Sequence, residues 1–270
     1  MNEDYIVTVY YVMDEMLKGV NHQDDARSQV SAAEVLTVAV IAARYFQNHW
    51  ERALCILIQQ GEIGRVSISR FNRRLHALRD WFYGIVMGLG ELFAGGEVYL
   101  IDSMPMPVCK RVRARRCGKV RGRDYCGYCA AKKEKFFGWR LHLICTADGI
   151  PVTFELLPAA YQDLTAIHEL TLTLPNGARL FGDKGFISAA DAQSILAATG
   201  VRLIAAPRKN MAPLSWADDY DLRHYRKQIE TVYSQMERMG SQRLYSRTNP
   251  GFQLKAFASV FALAFTNLID

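Results

Sequence analysis

Three acidic side chains stand where segments of different kinds could bring them together. Asp102 and Asp183 each end an apolar run, and Glu230 lies in a late stretch with a helical pattern. Oxygen atoms that converge from two strand ends and one helix would hold Mg²⁺ or Mn²⁺, because these ions prefer hard oxygen ligands. Two such ions, about 3.5–4 Å apart, can activate an attacking oxygen and stabilise the leaving oxygen in phosphodiester chemistry.

Each of these acids also has an ordinary structural interpretation. Asp is common in turns and helix caps, which would explain Asp102 and Asp183 without a metal. Arg226 and Glu230 have the spacing of a surface ion pair on a helix, which contributes only a few tenths of a kcal/mol. Asp163 is interpreted as the N-cap of its helix. Only the joint arrangement of the three acids favours a metal site.

The composition predicts a folded protein with a substantial core. The chain has 270 residues, 50% of them hydrophobic, which suits one large domain or two smaller ones. The longest uncharged apolar stretch, 256–269, is shorter than the roughly 18 residues of a membrane-spanning helix, so we predict a buried core helix. The acidic start at 1–4 lacks the basic flank of a signal peptide. We therefore expect a soluble, cytoplasmic protein without a membrane partner.

The basic excess is concentrated in one segment after Asp102. The net charge is +6, and residues 109–140 hold a large majority of basic over acidic side chains. A solvated loop is the ordinary explanation, but the interleaved aromatic residues suit phosphate contact and base stacking on a polyanion. These aromatic residues are Tyr125, Tyr128, Phe136, Phe137 and Trp139. The predicted polyanion contacts are Arg111, Arg113, Arg115, Arg116, Lys119, Arg121, Arg123, Lys132 and Lys133.

Four of the six cysteines lie in this basic segment. Cys126 and Cys129 have the two-residue gap of a zinc half-site, whereas the gap between Cys109 and Cys117 is irregular. A structural Zn²⁺ site made by these four thiolates stays open, but reduced, independent thiols are favoured. A disulfide framework is not expected in a chain without an export signal.

Residues 1–93 have helical patterns. Ser31 and Glu34 form a predicted capping box. A later helix, capped by Ser67 or Ser69, carries a basic face made of Arg70, Arg73 and Arg74. It follows a turn at 61–64 and resembles the recognition helix of a helix-turn-helix, although an ordinary amphipathic surface helix explains it equally well.

Gly95-Gly96 marks a change from helices to strands. The hairpin signal Asp148-Gly149 joins two of them, Gly200 is a predicted helix C-cap, and His142 is interpreted as a packed histidine. Strands are predicted at 97–101, 139–146, 151–157, 179–181 and 201–206, with helices at 163–174, 188–199, 221–239 and 252–269. The order β-β-β-α-β-α-β-α-α predicts a mixed α/β sheet flanked by helices. By analogy of element order this is the ribonuclease H-like fold, whose metal site uses the first strand, the fourth strand and the helix after the fifth.

The three acidic motifs together resemble those of the DDE transposases of bacterial insertion sequences. The motifs are Leu100–Pro105, Phe181–Phe186 and Arg226–Glu230, and the resemblance extends over 96–269. The chain is most similar to insertion-sequence family nine-eighty-two. That similarity is carried by Ile101-Asp102-Ser103 with Pro105 and Pro107, by Gly127-Tyr128-Cys129-Ala130, and by Gly182-Asp183-Lys184.

The last motif departs from the signature of a related branch. That signature has a tyrosine before the arginine and a lysine after the glutamate, and these positions hold Arg223 and Glu237 here. The tyrosine and lysine roles therefore do not carry over, and phosphate contact near this helix falls to Arg226 and its basic neighbours.

The resemblance implies a transposase that cuts DNA at element ends and joins the 3′ hydroxyl to target DNA. Asp102, Asp183 and Glu230 would hold two Mg²⁺ (or Mn²⁺) ions. A helical DNA-binding domain at 1–93 would precede a ribonuclease H-like catalytic domain at 94–270 with a basic insertion at 109–136. The implied partners are double-stranded DNA, as terminal inverted repeats and target, and a second copy in a homodimer. A nuclease of the same fold that only hydrolyses, or a non-catalytic DNA-binding regulator, are the alternatives.

Overall fold

The structure, a computed structural model, describes residues 1–129 and 132–269, so Ala130 of the sequence motif lies outside the described residues. The chain divides into two compact units. One combines Met1–Gly88 with Met236–Asp270, and the other is Leu89–Gln235. We call them the helical unit and the sheet unit.

The helical unit is built around two almost fully buried helices. Its elements are α1 (Glu3–Gly19), α2 (Ala32–Phe46), α3 (Trp50–Gln60), α4 (Ile68–Ala77), the first part of α5 (Arg79–Phe93), the end of α8 (Trp216–Arg238) and α9 (Asn249–Ile269). α2 begins at the predicted capping box, which is confirmed because Ser31 and Glu34 exchange both hydrogen bonds. The Tyr5 hydroxyl donates to the Ala262 carbonyl of α9 at 3.1 Å, which ties the first helix to the last.

α9 is long and apolar enough to cross a membrane by length and composition. However, 78% of its most apolar window is buried within the structure, and core helices of soluble proteins pass the same test. Its side chains from Phe252 to Thr266 are nearly all buried, in agreement with the predicted core helix.

The sheet unit contains a mixed sheet, as the element order predicted, with six strands among the described residues where five were predicted. The strands are β1 (Val98–Lys110), β2 (Cys126–Cys129), β3 (Glu134–Thr146), β4 (Pro151–Pro158), β5 (Arg179–Gly182) and β6 (Arg202–Ala205). Their order is β2-β3-β1-β5-β6, with β4 also on β3. β1 pairs antiparallel with β3 and parallel with β5, and β5 pairs parallel with β6.

β1 is much longer than predicted, and β2 was not predicted at all. The prediction ended β1 at Ile101, before Pro105 and Pro107. Its pairing with β5 does end at Ile101, whereas its pairing with β3 continues to Lys110. Beyond Ile101 one side of β1 therefore lacks a strand partner among the described residues, and proline, which has no N–H to donate, is tolerated on such an edge. Part of the basic segment thus belongs to the sheet.

Helices cover the sheet. A 3₁₀ turn (Asp163–Ala166), α6 (Ile167–Thr171) and α7 (Ala189–Thr199) pack on an apolar cluster that includes Tyr99, Ile101 and Ile144. The predicted helix 163–174 is thus shorter than expected. α7 ends at Gly200 in the left-handed region, at φ 74°, as predicted. α5 passes close to β4, because a Cβ on Gly90 would lie 1.8 Å from the Val152 carbonyl oxygen.

Candidate active site

The pairing of two parallel strands sets Asp102 beside Asp183. The last pair between β1 and β5 is Ile101 with Gly182, and each aspartate is the next residue of its strand. Neighbouring strands lie about 4.8 Å apart, so the two carboxyl groups leave the same edge side by side. The sequence analysis placed both aspartates at strand ends. Asp183 does follow β5 directly, but Asp102 lies inside β1, at the point where the pairing of β1 with β5 stops.

Each aspartate also makes a local bond to the backbone. Asp183 Oδ1 accepts the Gly185 N–H at 2.7 Å and caps a one-turn 3₁₀ helix, Lys184–Phe186. Asp102 Oδ1 accepts the N–H of Ser103 at 2.7 Å. Asp183 therefore is a cap, as its ordinary structural interpretation predicted. Because these bonds use only Oδ1 of each aspartate, Oδ2 of each is left for other contacts.

Glu230 is carried by α8, and several contacts fix this helix to the sheet. Asp221 pairs with Arg179 at the start of β5, and Asp218 pairs with Arg202 at the start of β6 at 3.3 Å. The Gln228 side chain donates to the Asp148 carbonyl of the β3–β4 hairpin at 2.9 Å. Tyr225 packs against Phe181 of β5, with ring centroids 6.3 Å apart. α8 is thereby held along the sheet over the ends of three strands.

The three predicted acids line one cleft. Its volume is about 450 Å³, and Asp102, Asp183 and Glu230 all contribute to its wall. The Glu230 side chain is 67% exposed, and its Oε1 lies 3.6 Å from Nε of Arg226. The wall is also formed by cationic and apolar residues, namely Lys184, Arg223, Arg226, Leu100, Phe181, Pro207, Leu222 and Ile229.

The surroundings of Asp102 favour the protonated form of its carboxyl group. Burial raises the pKa of Asp102 from 3.8 to about 7, and repulsion from Asp183 and Asp163 adds to the rise. The hydrogen bond from the Ser103 N–H and the charge of Arg140 act in the opposite direction. A divalent cation beside Asp102 would reverse this balance, because it favours the ionised carboxylate.

The side chains are close to a metal-binding arrangement without completing one. Within residues 1–129 and 132–269, no group of three or more His, Cys, Asp or Glu side chains is close enough to hold an ion. Asp102 and Asp183 are adjacent, but Glu230 is turned to Arg226. The donor set itself, buried and exposed carboxylates on one cleft, suits Mg²⁺ or Mn²⁺.

The basic segment presents its charges but hides most of its aromatic rings. Eight of the nine predicted polyanion contacts are exposed, and Lys119 is half-buried. Of the aromatic residues, Phe136, Phe137 and Trp139 are buried on β3, and Tyr125 packs on the last two rings. Tyr128 is 51% exposed. The predicted base stacking by the whole set is therefore wrong, because β3 buries Phe136, Phe137 and Trp139. Tyr125 packs against two of these rings, and Tyr128 is the exposed ring of the set.

The arginines of α4 do not form one uniform basic face. Arg74 is half-buried, and its guanidinium pairs with Asp24 at 2.6 Å and donates to Ser28 Oγ and the Val30 carbonyl. It thus secures the loop before α2. Arg70 and Arg73 are exposed. The connection from α3 to α4, residues 61–67, is longer than the roughly 3–4-residue turn of a helix-turn-helix.

Two arginines that the sequence analysis missed join Arg70 and Arg73. A cavity of about 460 Å³ in the helical unit is lined by Arg27, Arg65, Arg70 and Arg73 together with Arg74. Arg27 and Arg65 lie outside any periodic pattern, so only the fold brings them to the same place. The cavity is a strongly cationic surface feature of this unit.

The four cysteines of the basic segment are not gathered at one point. Cys109 and Cys117 are neighbours. Burial raises the pKa of the Cys109 thiol most, and the nearby Cys117 thiol raises it further. Cys126 instead contacts the guanidinium of Arg111. Cys109 and Cys126 pair with Phe137 from opposite sides, which separates their Cα atoms by about two strand spacings, roughly 10 Å. A shared Zn²⁺ would require this part of the sheet to rearrange.

Comparison with known proteins identifies the family of the chain. A family model described as a transposase DDE domain matches residues 94–247 and so includes all three acids. Comparison with curated proteins gives no match, and comparison with solved structures gives none. The matched region is more than half of the chain, and the mixed α/β sheet is compatible with it. The chain therefore belongs to the transposase DDE domain family, whose enzymes act on DNA.

Proposed function

We propose that this protein cuts DNA at the ends of an insertion sequence and joins the freed 3′ hydroxyl to target DNA. The observation that carries the proposal is the cleft that Asp102, Asp183 and Glu230 line together. We also propose that the sheet unit is a ribonuclease H-like catalytic domain, and that the protein is of the insertion-sequence family nine-eighty-two type.

The residues of the cleft suit a pair of Mg²⁺ or Mn²⁺ ions. Asp102 and Asp183 supply adjacent carboxylates, and the raised pKa of Asp102 marks a buried acid that gains from a nearby cation. Glu230 would have to leave Arg226, but an exposed ion pair of this kind contributes only about 0–1 kcal/mol. When bound, such ions would activate the attacking oxygen and stabilise the leaving oxygen.

The movement of Glu230 away from Arg226 would also give Arg226 a role. Once Glu230 turns towards the aspartates, the guanidinium of Arg226 loses its carboxylate partner at the cleft wall. It can then bind a phosphate oxygen, as guanidinium groups do with good geometry. Lys184 and Arg223 line the same cleft and add positive charge along the path of the DNA backbone.

Duplex DNA would be held by the two cationic surfaces. The exposed side chains of the basic segment belong to the unit that carries the acids, and the arginine cavity lies on the helical unit. We propose a DNA-binding domain at 1–93, a catalytic domain at 94–270 and a homodimer on DNA. A structural Zn²⁺ is not favoured, and elemental analysis of protein purified without chelator tests this directly.

The decisive experiment uses labelled DNA that carries the element's own ends. With Mg²⁺, the wild-type protein should cut at the end and transfer the strand to target DNA. Asp102→Asn, Asp183→Asn and Glu230→Gln should each lose cleavage by about 10³-fold or more while they retain DNA binding, because the three acids act as one unit. Asp148→Asn, an exposed acid on the β3–β4 hairpin, is the matched control and should keep wild-type activity.

The alternatives give different results in the same experiment. Cleavage without any joined product would indicate a nuclease that only hydrolyses. Binding to the ends without metal-dependent cleavage would indicate a DNA-binding regulator. Retention of most activity in one of the three acid variants would remove that residue from the proposed site.

A further inference from the structure

The first half of α8 carries three aromatic rings in a line. Trp216, Tyr220 and His224 follow one another at four-residue spacing, so they are neighbours along the helix surface. The Trp216 and Tyr220 rings stack with centroids 5.8 Å and planes 20° apart. The Tyr220 and His224 rings stack with centroids 6.3 Å and planes 6° apart. We call these three side chains, which cover about 12 Å of the helix axis, the aromatic row.

The aromatic row faces water. Trp216 is 83% exposed and Tyr220 is 59% exposed, and His224 is exposed as well. Single exposed apolar residues are normal on a protein surface, but several large ones side by side mark a surface that another molecule covers. The row differs in this respect from the aromatic residues on β3, which are buried in the sheet unit.

Ring contacts connect the aromatic row with the acid cleft. His224 meets the Tyr225 ring edge-on with centroids 4.9 Å apart, and Tyr225 packs against Phe181. Phe181 lines the cleft together with Asp183. Glu230 follows His224 by six residues on the same helix, which is about 9 Å along its axis. The row therefore begins close to the proposed site and extends away from it towards the start of α8.

The charges beside the aromatic row suit a phosphate backbone. The acids in the first two turns of α8 are all paired with arginines, and these pairs are Asp218–Arg202, Asp219–Arg223 and Asp221–Arg179. Arg223 is 79% exposed and contacts Asp219 through Nη2 alone, so its other N–H groups can reach a phosphate. Lys227 is exposed four residues later and continues the line of Arg223 beside the rings.

We infer that the aromatic row binds unpaired bases of a DNA strand whose phosphates contact Arg223 and Lys227 on the way to the acid cleft. The inference rests on the proposed function, since it takes this strand to be one that the acids cut. Aromatic side chains beside a line of cations are how proteins bind single strands, because bases stack on the rings while phosphates contact the cations. A protein partner could also cover exposed rings, but the adjacent cations favour a phosphate backbone.

Base stacking on the row requires an unpaired strand. In a duplex each base is covered by its neighbours in the stack, so its face is not open to a side chain. Stacking tolerates any base, because every base has a π face. The row would thus recognise the single-stranded state of the DNA beside the cut and leave the reading of sequence to other contacts.

Four substitutions separate stacking from charge and from bulk. Trp216→Leu removes the ring and keeps an apolar side chain, whereas Trp216→Phe keeps a ring. Lys227→Gln removes a charge and keeps the rings. Leu172→Ala is the matched control, because Leu172 is an apolar side chain of the same unit that is 70% exposed.

The test measures binding of the full chain to two labelled DNAs in EDTA, so that affinity is measured without cleavage. Both DNAs carry the same duplex, and one has a short extension of unpaired thymines. Wild type should bind the extended DNA more tightly. Trp216→Leu should weaken that binding about tenfold, or about 1.4 kcal/mol, while Trp216→Phe stays closer to wild type. Leu172→Ala should bind as wild type does, and the fully paired DNA should not distinguish the Trp216 variants.

Two further measurements separate stacking from phosphate contact. Tryptophan emission should be quenched when the extension binds to wild type, and Trp216→Phe should lack this quenching. Lys227→Gln should reduce the slope of log binding constant against log salt concentration by about 0.7 for the extension, the value for one phosphate contact on a single strand. Trp216→Leu should leave that slope unchanged.

Equal affinity of wild type and folded Trp216→Leu for the extended DNA would overturn the inference. If Trp216→Leu instead loses self-association in sedimentation and binds DNA normally, the aromatic row is a protein contact and the inference fails as well. Should Trp216→Leu fail to fold, the quenching decides, and wild type that shows none refutes the stacking.

The same variants distinguish the two levels of the argument. If wild type cuts DNA with Mg²⁺ and Trp216→Leu binds the extension normally, the proposed function stands and the aromatic row fails. If wild type does not cut but Trp216→Leu loses binding to the extension, the row stands as a DNA-binding surface and the proposed function fails. Wild type that binds neither DNA would refute both.

Discussion

Asp102→Asn should stabilise the metal-free protein at neutral and alkaline pH. In the folded chain Asp102 is largely buried beside Asp183, with Asp163 and the cation of Arg140 nearby, and its pKa rises from 3.8 to about 7. A raised carboxyl pKa means that the folded state holds the proton more tightly than the unfolded state does. The associated stability is fully present below pH 3.8 and is lost as the pH rises to about 7.

The size of this loss follows from the pKa difference. One pKa unit corresponds to about 1.36 kcal/mol, so the ionised carboxylate costs about 4 kcal/mol at pH 8. About 2.7 kcal/mol of this should accrue between pH 5 and pH 8, since part of the cost is already present at pH 5. Asparagine has a similar shape and cannot ionise, so Asp102→Asn should escape the loss.

Urea unfolding in the presence of EDTA measures the effect. Unfolding is followed by pulsed hydrogen exchange on peptides from β1 and β5, because these peptides report on the sheet unit alone. Wild type should lose roughly 2–3 kcal/mol more than Asp102→Asn between pH 5 and pH 8. Excess Mg²⁺ should reverse the order, because it stabilises only the protein that retains the carboxylate. Equal pH dependence of the two proteins would refute the electrostatic argument for a cation beside Asp102.

Two further predictions concern the cationic surfaces. Replacing Arg113, Arg115 and Arg116 together by glutamine should reduce the slope of log binding constant against log salt concentration by about 2.7, at about 0.9 for each lost phosphate contact. Titrations of duplex DNA at several salt concentrations measure this slope. An unchanged slope would mean that these arginines are a solvated face that does not contact phosphate. Arg73→Ala should weaken DNA binding without loss of stability. Arg74→Ala should instead destabilise the helical unit by about 1–3 kcal/mol, because it loses the hydrogen bonds to the loop before α2. Thermal unfolding of both variants measures the difference. Reversed effects of these two substitutions would contradict the structural role of Arg74.

The fold was predictable where local chemistry and pairing agree. The capping box at Ser31, the Gly200 cap and the mixed α/β order all follow from short-range rules, and the structure contains each of them. β2 and the second half of β1 were missed because both depend on β3 as a partner. A strand that contains Pro105 and Pro107 is recognisable only once its unpaired side is known.

The residues of the candidate site show the same contrast between local signals and contacts that only the fold creates. Asp183 was found because it follows a strand directly, and Asp102 because it ends an apolar run, although it lies inside β1. Glu230 was found because helical spacing placed it at the edge of a packed face. Asp163 was misjudged for the opposite reason. At the start of a helical turn an aspartate normally caps, and nothing near it in sequence reveals that a hydroxyl from β1 takes its oxygen instead.

Gly185 lies where the cap made by Asp183 meets the side chain of Asp163. φ at 185 is not in the left-handed region, yet the cap itself favours glycine there, because a Cβ would lie 2.9 Å from the capping oxygen of Asp183. A Cβ at 185 would also lie 2.6 Å from Asp163 Oδ2, so an alanine there would require one or both aspartate side chains to shift. Repulsion from Asp183 and Asp163 adds to the effect of burial, which raises the pKa of Asp102 to about 7. A cation beside Asp102 would turn this cost into a gain, because it favours the ionised carboxylate.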